Sequence, residues 1–487
     1  MDRQAAVERL AAIDALPASE LGGVDLIVER AGLLALLGET EPAKQAYLAA
    51  LVREPGHYVM LNNFGALLHQ TGFRTAARTL FAEAVRLYPD RALGHVNLGG
   101  LLMYEDELPA ARAHLEAALA IDPANAGAHQ RLSVVLHELG DQAGMRRHRQ
   151  LGFGAAPTER LPFVGQGEPT PLLVLTSTPA GDIAWSKLID DRVFAVTTVA
   201  AAFLPEGAPL PPHRLIFNAI GDADLCAEDL GAAEALVGRS TATVINHPAR
   251  VRQTGRARNA ARLASLSGVL TPKMATIGKG RLTTDGAAHL AKAIGFPLLL
   301  RSPGFQTGKH FVRIESPAEL EAAGDALPGD TLMAIEPLPT RGADGLTRKY
   351  RVMTVGGRLY PLHLAASSDW KVHYATSQVG ESADLRAEEA AFLTDMPGAL
   401  GPVAMAGLAR IEAALGLDYG GIDFALDAQG RVLLFEANAV MNVIPPDTTP
   451  QADYRRPAIA SALSAVRTML LERVDSSGGP PQPTVVE

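Results

Sequence analysis

The chain has 487 residues, a formal net charge of −9 and one cysteine, Cys226. Its length predicts two or more domains, and its acidic balance argues against a nucleic-acid-binding surface, which needs a basic patch. A single cysteine excludes an intrachain disulfide and suits a reducing compartment. The N-terminus lacks a signal-peptide pattern and no apolar run reaches the roughly 18 residues of a membrane span. We therefore expect a cytoplasmic protein that binds neither nucleic acid nor membrane.

A 34-residue period governs the N-terminal third of the sequence, where Pro55, Pro89 and Pro123 recur with this spacing. Small, aromatic and aliphatic residues repeat in the same register: Ala31, Gly65 and Gly99; Ala43, Ala77 and Ala111; Tyr47, Phe81 and Leu115; Ala50, Ala84 and Ala118. Each period predicts a helix, a short turn and a second helix that the proline ends. The small residues predict close contact between the two helices.

This pattern resembles tetratricopeptide repeats over about residues 24–150, as three full units and a degenerate fourth. We predict an all-α repeat domain over residues 1–151, whose last unit caps the array. The resemblance implies a groove that holds a peptide or protein partner; self-association as a homodimer and a purely architectural role are the alternatives. The histidines of the array are scattered and are interpreted as surface or packing residues: His57, His69, His95 and His114.

A Gly- and Pro-rich stretch without periodicity, residues 152–170, predicts a linker. The segments that follow, PLLVLTST, RLIFNAIGDAD and STATVINH, predict strands that alternate with helices, which is typical of a parallel α/β sheet. We assign this first α/β subdomain to residues 171–270. Loops at the carboxyl ends of parallel strands form a crevice, so Asn246 and the basic helix after it are expected to line one.

Two more subdomains are predicted downstream. Residues 271–340 contain an apolar strand, a glycine-containing turn and a second strand. Residues 341–474 contain a hairpin with a Gly356–Gly357 turn, a helix and a second hairpin. Residues 475–487 are rich in Gly and Pro and are expected to be a disordered tail.

The C-terminal hairpin, residues 420–443 (GGIDFALDAQGRVLLFEANAVMNV), is the most informative element. A tight turn would place Asp423 opposite Leu434. Asp423 and Glu436 would then be diagonal neighbours on one face, roughly 7–8 Å apart, and Asn438 would share that face. Such a pair of carboxylates suits a hard cation; two solvated acids on an exposed hairpin are the alternative.

The order of elements from about residue 172 to 470 resembles the ATP-grasp superfamily. The matching features are, in chain order, an Asn-x-Pro-like strand end at Asn246, a strand with Arg301 before a glycine loop, a strand ending at Glu336, a KYRV strand, and Gly-x-Asp-Phe followed by Phe-Glu-x-Asn. The resemblance implies a multidomain fold. An all-α tetratricopeptide repeat array precedes an α/β and α+β ATP-grasp module, in which residues 271–340 form the small lid.

By position in these motifs, the resemblance assigns the hairpin's oxygen donors to Mg²⁺, with Mn²⁺ as an alternative ion: Asp423, Glu436 and Asn438. Arg351, in KYRV, matches an arginine that contacts the phosphates or an acyl-phosphate product; pairing with a cross-strand acid is the alternative. Lys371 and His373 fall in a loop where family members often position substrate. An exposed loop without a role is the alternative for that pair.

Two arginines stand where the family commonly has phosphate-binding lysines. Arg301 precedes the glycine loop, and Arg256 begins the basic helix, where Arg258 and Arg262 compete for the same assignment. A planar guanidinium still neutralises phosphate, but its contact geometry differs from that of an ammonium. A plain surface charge is the alternative for Arg301.

The other nucleotide contacts are assigned to a loop and a strand end. The segment Gly304–Lys309, with Gly308 and Lys309, resembles a flexible loop that closes over the ATP phosphates through backbone amides; an ordinary turn is the alternative. The strand end with Glu336 and Leu338 matches the segment whose backbone grips adenine, and Glu336 would lie near the base or ribose.

The resemblance implies a ligase that forms carbon–nitrogen bonds between a carboxylate and an amine, on small molecules or peptides. The carboxylate takes the γ-phosphoryl group of ATP to form an acyl phosphate, and an amine then displaces phosphate. Positioning and charge neutralisation carry such a reaction. The fused repeats suggest recruitment of a peptide or protein. A non-catalytic nucleotide-binding scaffold and a phosphotransferase acting on another acceptor are the alternatives.

Overall fold

A computed structural model of the chain describes residues 3–17, 23–178, 181–305, 308–441, 443 and 450–476. The chain divides into two compact units. The first comprises Met1–Leu172 and Asp191–Ala208, and the second comprises Leu173–Asp190 and Pro209–Glu487. The expected disordered tail lies outside the described residues from residue 477 onward.

The first unit begins with a series of helices. In chain order these are α1 (Arg3–Asp14), α2 (Val24–Leu36), α3 (Thr40–Arg53), α4 (Tyr58–Gln70), α5 (Arg74–Leu87), α6 (Ala92–Tyr104), α7 (Leu108–Ile121), α8 (Ala126–Glu138) and α9 (Gln142–Ala155). From α2 onward they form four pairs, each with a first helix of 13 residues and a second of 14. The predicted helix–turn–helix period is therefore confirmed.

The fourth pair, predicted as degenerate, is a complete repeat unit. Both of its helices have capped N-termini: Asn125 accepts a hydrogen bond from the backbone of Ala128 at 2.9 Å, and Asp141 accepts one from Gly144 at 2.8 Å. Side-chain caps satisfy backbone N–H groups that a helix start leaves unpaired. The helices form because their ends and apolar positions are intact, although most marker residues of the period are missing.

The small residues of the period lie where paired helices touch. Gly65 faces the ring of Phe81, and a Cβ added to this glycine would lie 2.5 Å from that ring. Gly99 faces Leu115 in the next unit, where the corresponding distance to Cγ is 2.8 Å. The large partner residues, Phe81 and Leu115, are buried. Each glycine thus leaves room for the buried side chain of the second helix, as the sequence predicts.

Replacing Gly99 with alanine is expected to destabilise the array by about 1–3 kcal/mol, because the added methyl overpacks Leu115. Gly100→Ala in the same helix is the matched control, since its methyl would meet only the flexible side chain of Arg131, at 3.0 Å. Alanine favours a helix over glycine by up to about 1 kcal/mol, so the control should be neutral or stabilising. Urea denaturation measures both variants. Equal midpoints would contradict the close helix contact.

The predicted linker, residues 152–170, contains regular structure, which corrects the expectation. Helix α9 continues to Ala155, and a short strand β1 (Thr158–Arg160) follows. It pairs antiparallel with β3 (Phe194–Ala200), which comes after β2 (Thr170–Thr176) in the chain. All three side chains of β1 are exposed. A strand that buries no side chain leaves no hydrophobic pattern, so periodicity could not reveal it.

The second unit contains β2 from Leu173 onward and most of the remaining elements. Its further strands are β4 (Leu215–Asn218), β5 (Thr243–Ile245), β6 (Val269–Leu270), β7 (Met274–Gly278), β8 (Leu298–Arg301), β9 (Phe311–Ile314), β10 (Thr331–Ile335), β11 (Thr347–Val355), β12 (Arg358–Ser367), β13 (Tyr419–Leu426) and β14 (Val432–Asn438). Its helices are α10 (Ala227–Val237), α11 (Pro248–Val251), α12 (Arg256–Leu263), α13 (Thr284–Ala293), α14 (Leu320–Ala326), α15 (Ala383–Thr394), α16 (Met396–Leu415) and α17 (Arg456–Ser476).

These strands form sheets of mixed type. Strands β2, β4 and β5 are neighbours in one sheet, and β4 and β5 are parallel, as expected for the α/β segment. The second sheet has the order β7-β10-β8-β9 and is antiparallel. The third has the order β12-β11-β13-β14-β6. Strand β6, within the residues assigned to the first α/β subdomain, instead pairs parallel with β14 of the third sheet.

Helices α13 and α14 belong to the core of the second sheet. Leu290 of α13 and Leu320 of α14 are buried in one cluster with Leu298 and Leu300 of β8. Alternate residues of β8 point to this core, because side chains on one face of a strand recur every second residue. The alternation leaves Arg301 at the end of β8 on the other face, only half-buried.

The C-terminal hairpin forms, but its register differs from the prediction. Asp423 lies opposite Glu436, not Leu434. Asp427 closes a longer turn, accepting backbone hydrogen bonds from Gln429 at 2.9 Å and Arg431 at 2.8 Å. A bulge next to Asp423 then shifts the pairing once more. The two carboxylates share one face, as predicted, but are directly opposite each other rather than diagonal.

Helix α16 has the length and apolar composition of a membrane span. Its buried positions include Leu400, Ala404, Leu408 and Ile411, the spacing of a helix with one face on a protein core. Charged Arg410 also interrupts its apolar run. These features are typical of the core helix of a globular unit. Such a helix can have the same length and apolar composition as a membrane span.

Candidate functional site

A row of polar side chains crosses the third sheet. His363 of β12 lies opposite Arg351 of β11, Arg351 lies opposite Asp423 of β13, and Asp423 lies opposite Glu436 of β14. Directly opposite residues of antiparallel strands project from the same face. We call these four residues the cross-sheet row. Three of them were predicted site residues, and the strand register brings them together.

His363 is the member of the row that sequence analysis missed. It lies in a largely apolar strand segment, LYPLHLA, and only the pairing of β11 with β12 places it beside Arg351. It is buried, and its Nε2 has no hydrogen-bond partner among the described residues. Burial lowers the pKa of His363 well below its usual value, and the positive charge of Arg351 lowers that pKa further. His363 is therefore neutral in this site.

Asp423 and Arg351 form a bidentate ion pair. The distances are 2.6 Å from Nε to Oδ1 and 2.7 Å from Nη2 to Oδ2. Lys349 Nζ lies 3.3 Å from the same carboxylate. Burial would raise the pKa of Asp423, but the charges of Arg351 and Lys349 outweigh it and hold that pKa well below its usual range. Asp423 is ionised at any physiological pH.

Glu436 stands at the more exposed end of the row. Its Oε1 is 2.6 Å from Nη2 of Arg256 and accepts a hydrogen bond from Asn438 Nδ2 at 2.7 Å. The Glu436 side chain is 30% exposed, whereas that of Arg256 is 8% exposed. The predicted metal ligand Asn438 therefore touches Glu436 directly. The hairpin thus brings all three predicted oxygen donors to one face.

Three arginines compete for one assignment: Arg256, Arg258 and Arg262. Of these, Arg256, at the start of α12, is the one that contacts the cross-sheet row. It also lies 3.7 Å from Asp222 and 3.3 Å from Asp224. Burial would lower the pKa of Arg256, but its carboxylate neighbours raise it. Arg258 instead donates to Gln253, and Arg262 donates to Ala414 and Asn259. The packing of α12 therefore singles out Arg256, which the spacing in the sequence could not do.

Arg301, at the end of β8, is a second cation close to Arg256; the residue is half-buried and its Nε atom is buried. Its Nη2 donates to the carbonyl of Phe305, and its guanidinium group lies 5.8 Å from the centre of the Phe311 ring. Burial lowers the pKa of Arg301 to about 10, and the charge of Arg256 contributes to the shift. The Nε atoms of Arg256 and Arg301 have no hydrogen-bond partner in the described part of the chain. Two adjacent guanidinium groups of this kind suit an anion.

Lys371 packs against the turn that contains Gly308. Its Nζ is 3.4 Å from the carbonyl of Phe311. Gly308 has a φ of 74°, and a Cβ on it would lie 2.7 Å from Lys371 Cε, so this turn favours glycine. Lys309 follows in the same turn. Residues 306 and 307 of the predicted phosphate loop lie outside the described residues.

His373, in the same loop as Lys371, is half-buried near the row. Burial lowers the pKa of His373, and the positive charges of Lys349 and Arg351 lower it further. The ring of Trp370 packs edge-on against Phe311, with ring centres 5.3 Å apart. The loop from β12 and the turn before β9 are thus packed together beside the cations, where the sequence predicted substrate contacts.

Glu336 has a structural contact. Its backbone N–H donates to the carbonyl of Lys273 at 2.9 Å, and its carboxylate accepts from the backbone of Lys273 at 2.9 Å. The carbonyl of Leu338 accepts a backbone hydrogen bond from Thr340 at 2.9 Å. The two Glu336 bonds tie the end of β10 to Lys273, the residue before β7. The nucleotide contacts of Glu336 and Leu338 stay predictions.

Asn246 also proves to be structural. Its amide donates to the carbonyl of Tyr419 at 2.7 Å and accepts from the backbone N–H of Tyr419 at 2.9 Å. Asn218 donates to the carbonyl of Asn246 at 2.8 Å. Since its side chain is fully engaged in holding the start of β13, Asn246 anchors the third sheet to β5 and is not a crevice residue with an available amide.

The donor set fits Mg²⁺ in type, but its carboxylates are already paired. In the described residues no group of three His, Cys, Asp or Glu side chains is arranged to hold a metal ion. The predicted ligands Asp423, Glu436 and Asn438 supply the hard oxygen atoms that Mg²⁺ prefers. Both carboxylates contact an arginine, so a cation could take them only if Arg351 and Arg256 turned to another anion. A polyphosphate would be such an anion.

A small cavity lies beside Arg256 and Glu436. A cavity of about 10 Å³ is lined by Arg256, Met274, Glu436 and neighbouring residues, which is room for about one water molecule. Cavities of about 520 and 450 Å³ elsewhere in the unit are lined by none of the predicted site residues.

No protein-family model and no curated protein matches the chain. Many solved structures are similar to part of it, among them the following three. A crystal structure of MamA is 23% identical and covers 25% of this chain and 70% of its own, with a TM-score of 0.24. MamA from Desulfovibrio magneticus RS-1 is 20% identical and covers 30% and 82%, with a TM-score of 0.28. PilF from Pseudomonas aeruginosa is 21% identical and covers 27% and 60%, with a TM-score of 0.26.

Likenesses of this extent carry no argument about function. The chain's own 34-residue period and its four matched helix pairs are the firmer observations. They show an N-terminal array of helix pairs that resembles tetratricopeptide repeats, followed by an α/β region with mixed sheets.

Proposed function

We propose that the second unit is an ATP-dependent ligase of the ATP-grasp type, which joins a carboxylate to an amine. The observation that carries the proposal is the cross-sheet row together with the arginines around it. Arg351 comes from the third sheet, Arg256 from the helix after β5, and Arg301 from the end of β8 in the second sheet. Guanidinium groups from three parts of a fold are a fitting cradle for phosphate groups.

The charges at the site suit a metal–nucleotide complex. In the described structure, Arg256 and Arg301 lie near one another although like charges repel, and the carboxylates of Glu436, Asp222 and Asp224 oppose this repulsion. A triphosphate between the two guanidinium groups would oppose it further. Asp423, Glu436 and Asn438 would then hold Mg²⁺, which would neutralise charge on the phosphate oxygens.

The residues of the chain would act by binding and positioning. Arg256 and Arg301 would hold ATP, and Arg351 would contact the phosphoryl group during its transfer to the substrate carboxylate. The bond from γ-phosphorus to the bridging oxygen breaks, a new bond to the carboxylate oxygen forms, and ADP leaves. The amine then attacks the acyl carbon and phosphate leaves with the carboxyl oxygen. Lys371 would steady the substrate, and no protein nucleophile is needed.

A second candidate, a nucleotide-binding scaffold without turnover, is favoured by one observation. Both carboxylates of the row form ion pairs within the chain, Asp423 with Arg351 and Glu436 with Arg256. A polar network that serves stability alone would be arranged in this way. Formation of ADP that depends on both an acid and an amine would exclude the scaffold.

For the repeat array we propose binding of a peptide or protein that carries one of the two substrate groups. The support is the fusion of such an array to a ligase-type unit in one chain. Because the first unit includes Asp191–Ala208 as well as the helices, deletion of residues 1–150 would leave it incomplete. The test is therefore made on the full chain, with kcat/KM for peptides expected to exceed that for the corresponding free amino acids.

The ligase is tested by measuring ADP and phosphate with panels of acids and amines, in Arg351→Lys and in a matched control. Arg351→Lys should lower turnover by about 10²-fold, because an ammonium cannot replace a bidentate guanidinium in the transition state. Arg348→Lys is the control, since Arg348 lies on the other face of β11 and pairs with Glu388. A similar loss in both variants, or none in either, would refute the role of Arg351.

A further inference from the structure

Two histidine pairs recur in the repeat array with its own period. Nδ1 of His95 on α6 lies 3.1 Å from Nδ1 of His114 on α7. Nδ1 of His129 on α8 lies 2.8 Å from Nδ1 of His148 on α9. His129 and His148 each follow their counterparts by 34 residues. The histidines of the third unit were interpreted as scattered, and that interpretation is wrong, because the fold joins them in pairs.

Packing does not require histidine at these positions. One period earlier, the equivalents of His95 and His114 are Leu61 and Leu80, both buried. The second unit thus fills the same place between its helices with two aliphatic side chains. Burying polar rings there is less favourable than burying leucines. Helix packing at this place therefore does not by itself call for histidine.

The hydrogen bonds of the Nε2 atoms fix the tautomers of His95 and His129. Nε2 of His95 is 3.1 Å from the carbonyl of Pro89, and Nε2 of His129 is 3.0 Å from the carbonyl of Pro123. A carbonyl only accepts, so both Nε2 atoms carry hydrogen. In the neutral rings of His95 and His129, Nδ1 then presents a lone pair to the partner histidine. A backbone carbonyl that orients a ring in this way is the usual support of a metal-binding histidine.

We propose that each histidine pair binds one divalent transition-metal ion, such as Zn²⁺, between its two Nδ1 atoms. The hydrogen between the two Nδ1 atoms belongs to His114 or His148 and moves to Nε2 of that same ring, so both rings stay neutral and present a lone pair to the ion. With Zn–N bonds of about 2.0–2.1 Å, two ligands of a tetrahedral ion lie about 3.3 Å apart, so each pair needs to open by only a few tenths of an ångström. Imidazole nitrogen is a preferred ligand of Zn²⁺, Cu²⁺ and Ni²⁺. Water would complete the coordination, because His114 and His148 are half-buried.

The surroundings favour the neutral rings that a metal needs. Burial lowers the pKa of His114, and the facing His95 lowers it further. Burial also lowers the pKa of His148; His129 and Arg147 lower it further, whereas Glu116 and Asp141 oppose the shift.

The test is titration of the untagged full chain with ZnCl₂ in a calorimeter at pH 7.5. We expect two ions per chain. The double variant His95→Leu/His114→Leu, which copies the second unit, should bind one, and the variant with all four histidines changed to leucine should bind none. His289→Gln is the control, since His289 is exposed and lies outside the repeats. It should leave the stoichiometry at two.

A second measurement keeps the test valid if the leucine variants fold poorly. The unaltered chain with Cu²⁺ should show hyperfine coupling to two imidazole nitrogens per ion in its electron paramagnetic resonance spectrum. Zn²⁺ should also raise the thermal midpoint of the unaltered chain and not that of the fourfold variant. If Zn²⁺ binding is the same with and without the four histidines, or nitrogen coupling is absent, the pairs are hydrogen-bonded structural contacts and the proposal fails.

Discussion

Asp423→Asn is expected to destabilise the second unit by about 3–5 kcal/mol, the usual consequence of removing one partner from a buried ion pair. Asp423 is 5% exposed and accepts two hydrogen bonds from Arg351, with Lys349 at 3.3 Å. Asparagine keeps the size of the side chain but leaves the guanidinium and ammonium groups without their carboxylate. Urea unfolding, followed by a probe in the second unit, measures the loss.

Asp344→Asn is the matched control for this prediction. Asp344 also pairs with an arginine of β11, Arg348, but it is 46% exposed and Arg348 keeps a second partner in Glu388. Its midpoint should hardly change, since exposed ion pairs contribute little. Equal losses in the two variants would mean that burial of the Asp423 pair has no special effect.

The pH dependence of the Asp423 effect has a definite sign. The pKa of Asp423 is lower in the folded chain than in the unfolded chain. Its contribution to stability is therefore complete above the unfolded value of about 3.9 and is lost as the pH falls below it. The difference between the unaltered chain and Asp423→Asn should shrink in acid. A difference that grows below pH 4 would contradict the assignment.

Glu436→Gln is expected to lower acid- and amine-dependent ADP formation by about 10²–10³-fold, because it removes a charge that the proposed ligase needs at the phosphates. The variant should still fold. Arg256 retains Asp222 and Asp224, and Glu436 is the more exposed member of its pair. Glu436→Gln is thus a cleaner probe of activity than Asp423→Asn, whose effect on stability is large.

The control for Glu436→Gln is Glu388→Gln, on the opposite face of the third sheet. Glu388 pairs with Arg348 and accepts from the Tyr350 hydroxyl, so its loss should affect stability and leave turnover per folded molecule unchanged. Unchanged turnover in Glu436→Gln would contradict the ligase assignment. An unaltered chain that binds ATP without forming ADP would favour the nucleotide-binding scaffold.

Local sequence patterns predicted the repeats and the elements of the hairpin. Helix pairs and tight turns depend on residues that are close in the chain, so the 34-residue period was sufficient to predict close contact between paired helices; the structure adds that Gly65 meets Phe81 and Gly99 meets Leu115. The regularity of the fourth unit was underestimated. Its helices are stabilised by the caps at Asn125 and Asp141, although most marker residues of the period are missing. Strand β1 left no pattern, since none of its side chains is buried.

The candidate site was only partly predictable. The types of its donors, two carboxylates, an amide and several arginines, were evident in the chain, and a tight-turn register gave the right face for Asp423 and Glu436 by two compensating errors. A longer turn and a bulge each moved the pairing by one residue. Neither leaves a hydrophobic signal, so no reasoning from periodicity could have placed these carboxylates opposite each other.

Residue types and short-range spacing thus settled what this chain is made of: an α-helical array, an α/β region and a set of charged residues near the C-terminal hairpin. Pairing between distant segments settled which of those residues meet. The selection of Arg256 over Arg258 and Arg262, the position of His363 beside Arg351, and the joining of four histidines into two pairs all depend on contacts between separate elements. Those contacts follow from packing of whole elements against each other, and a linear pattern does not record them.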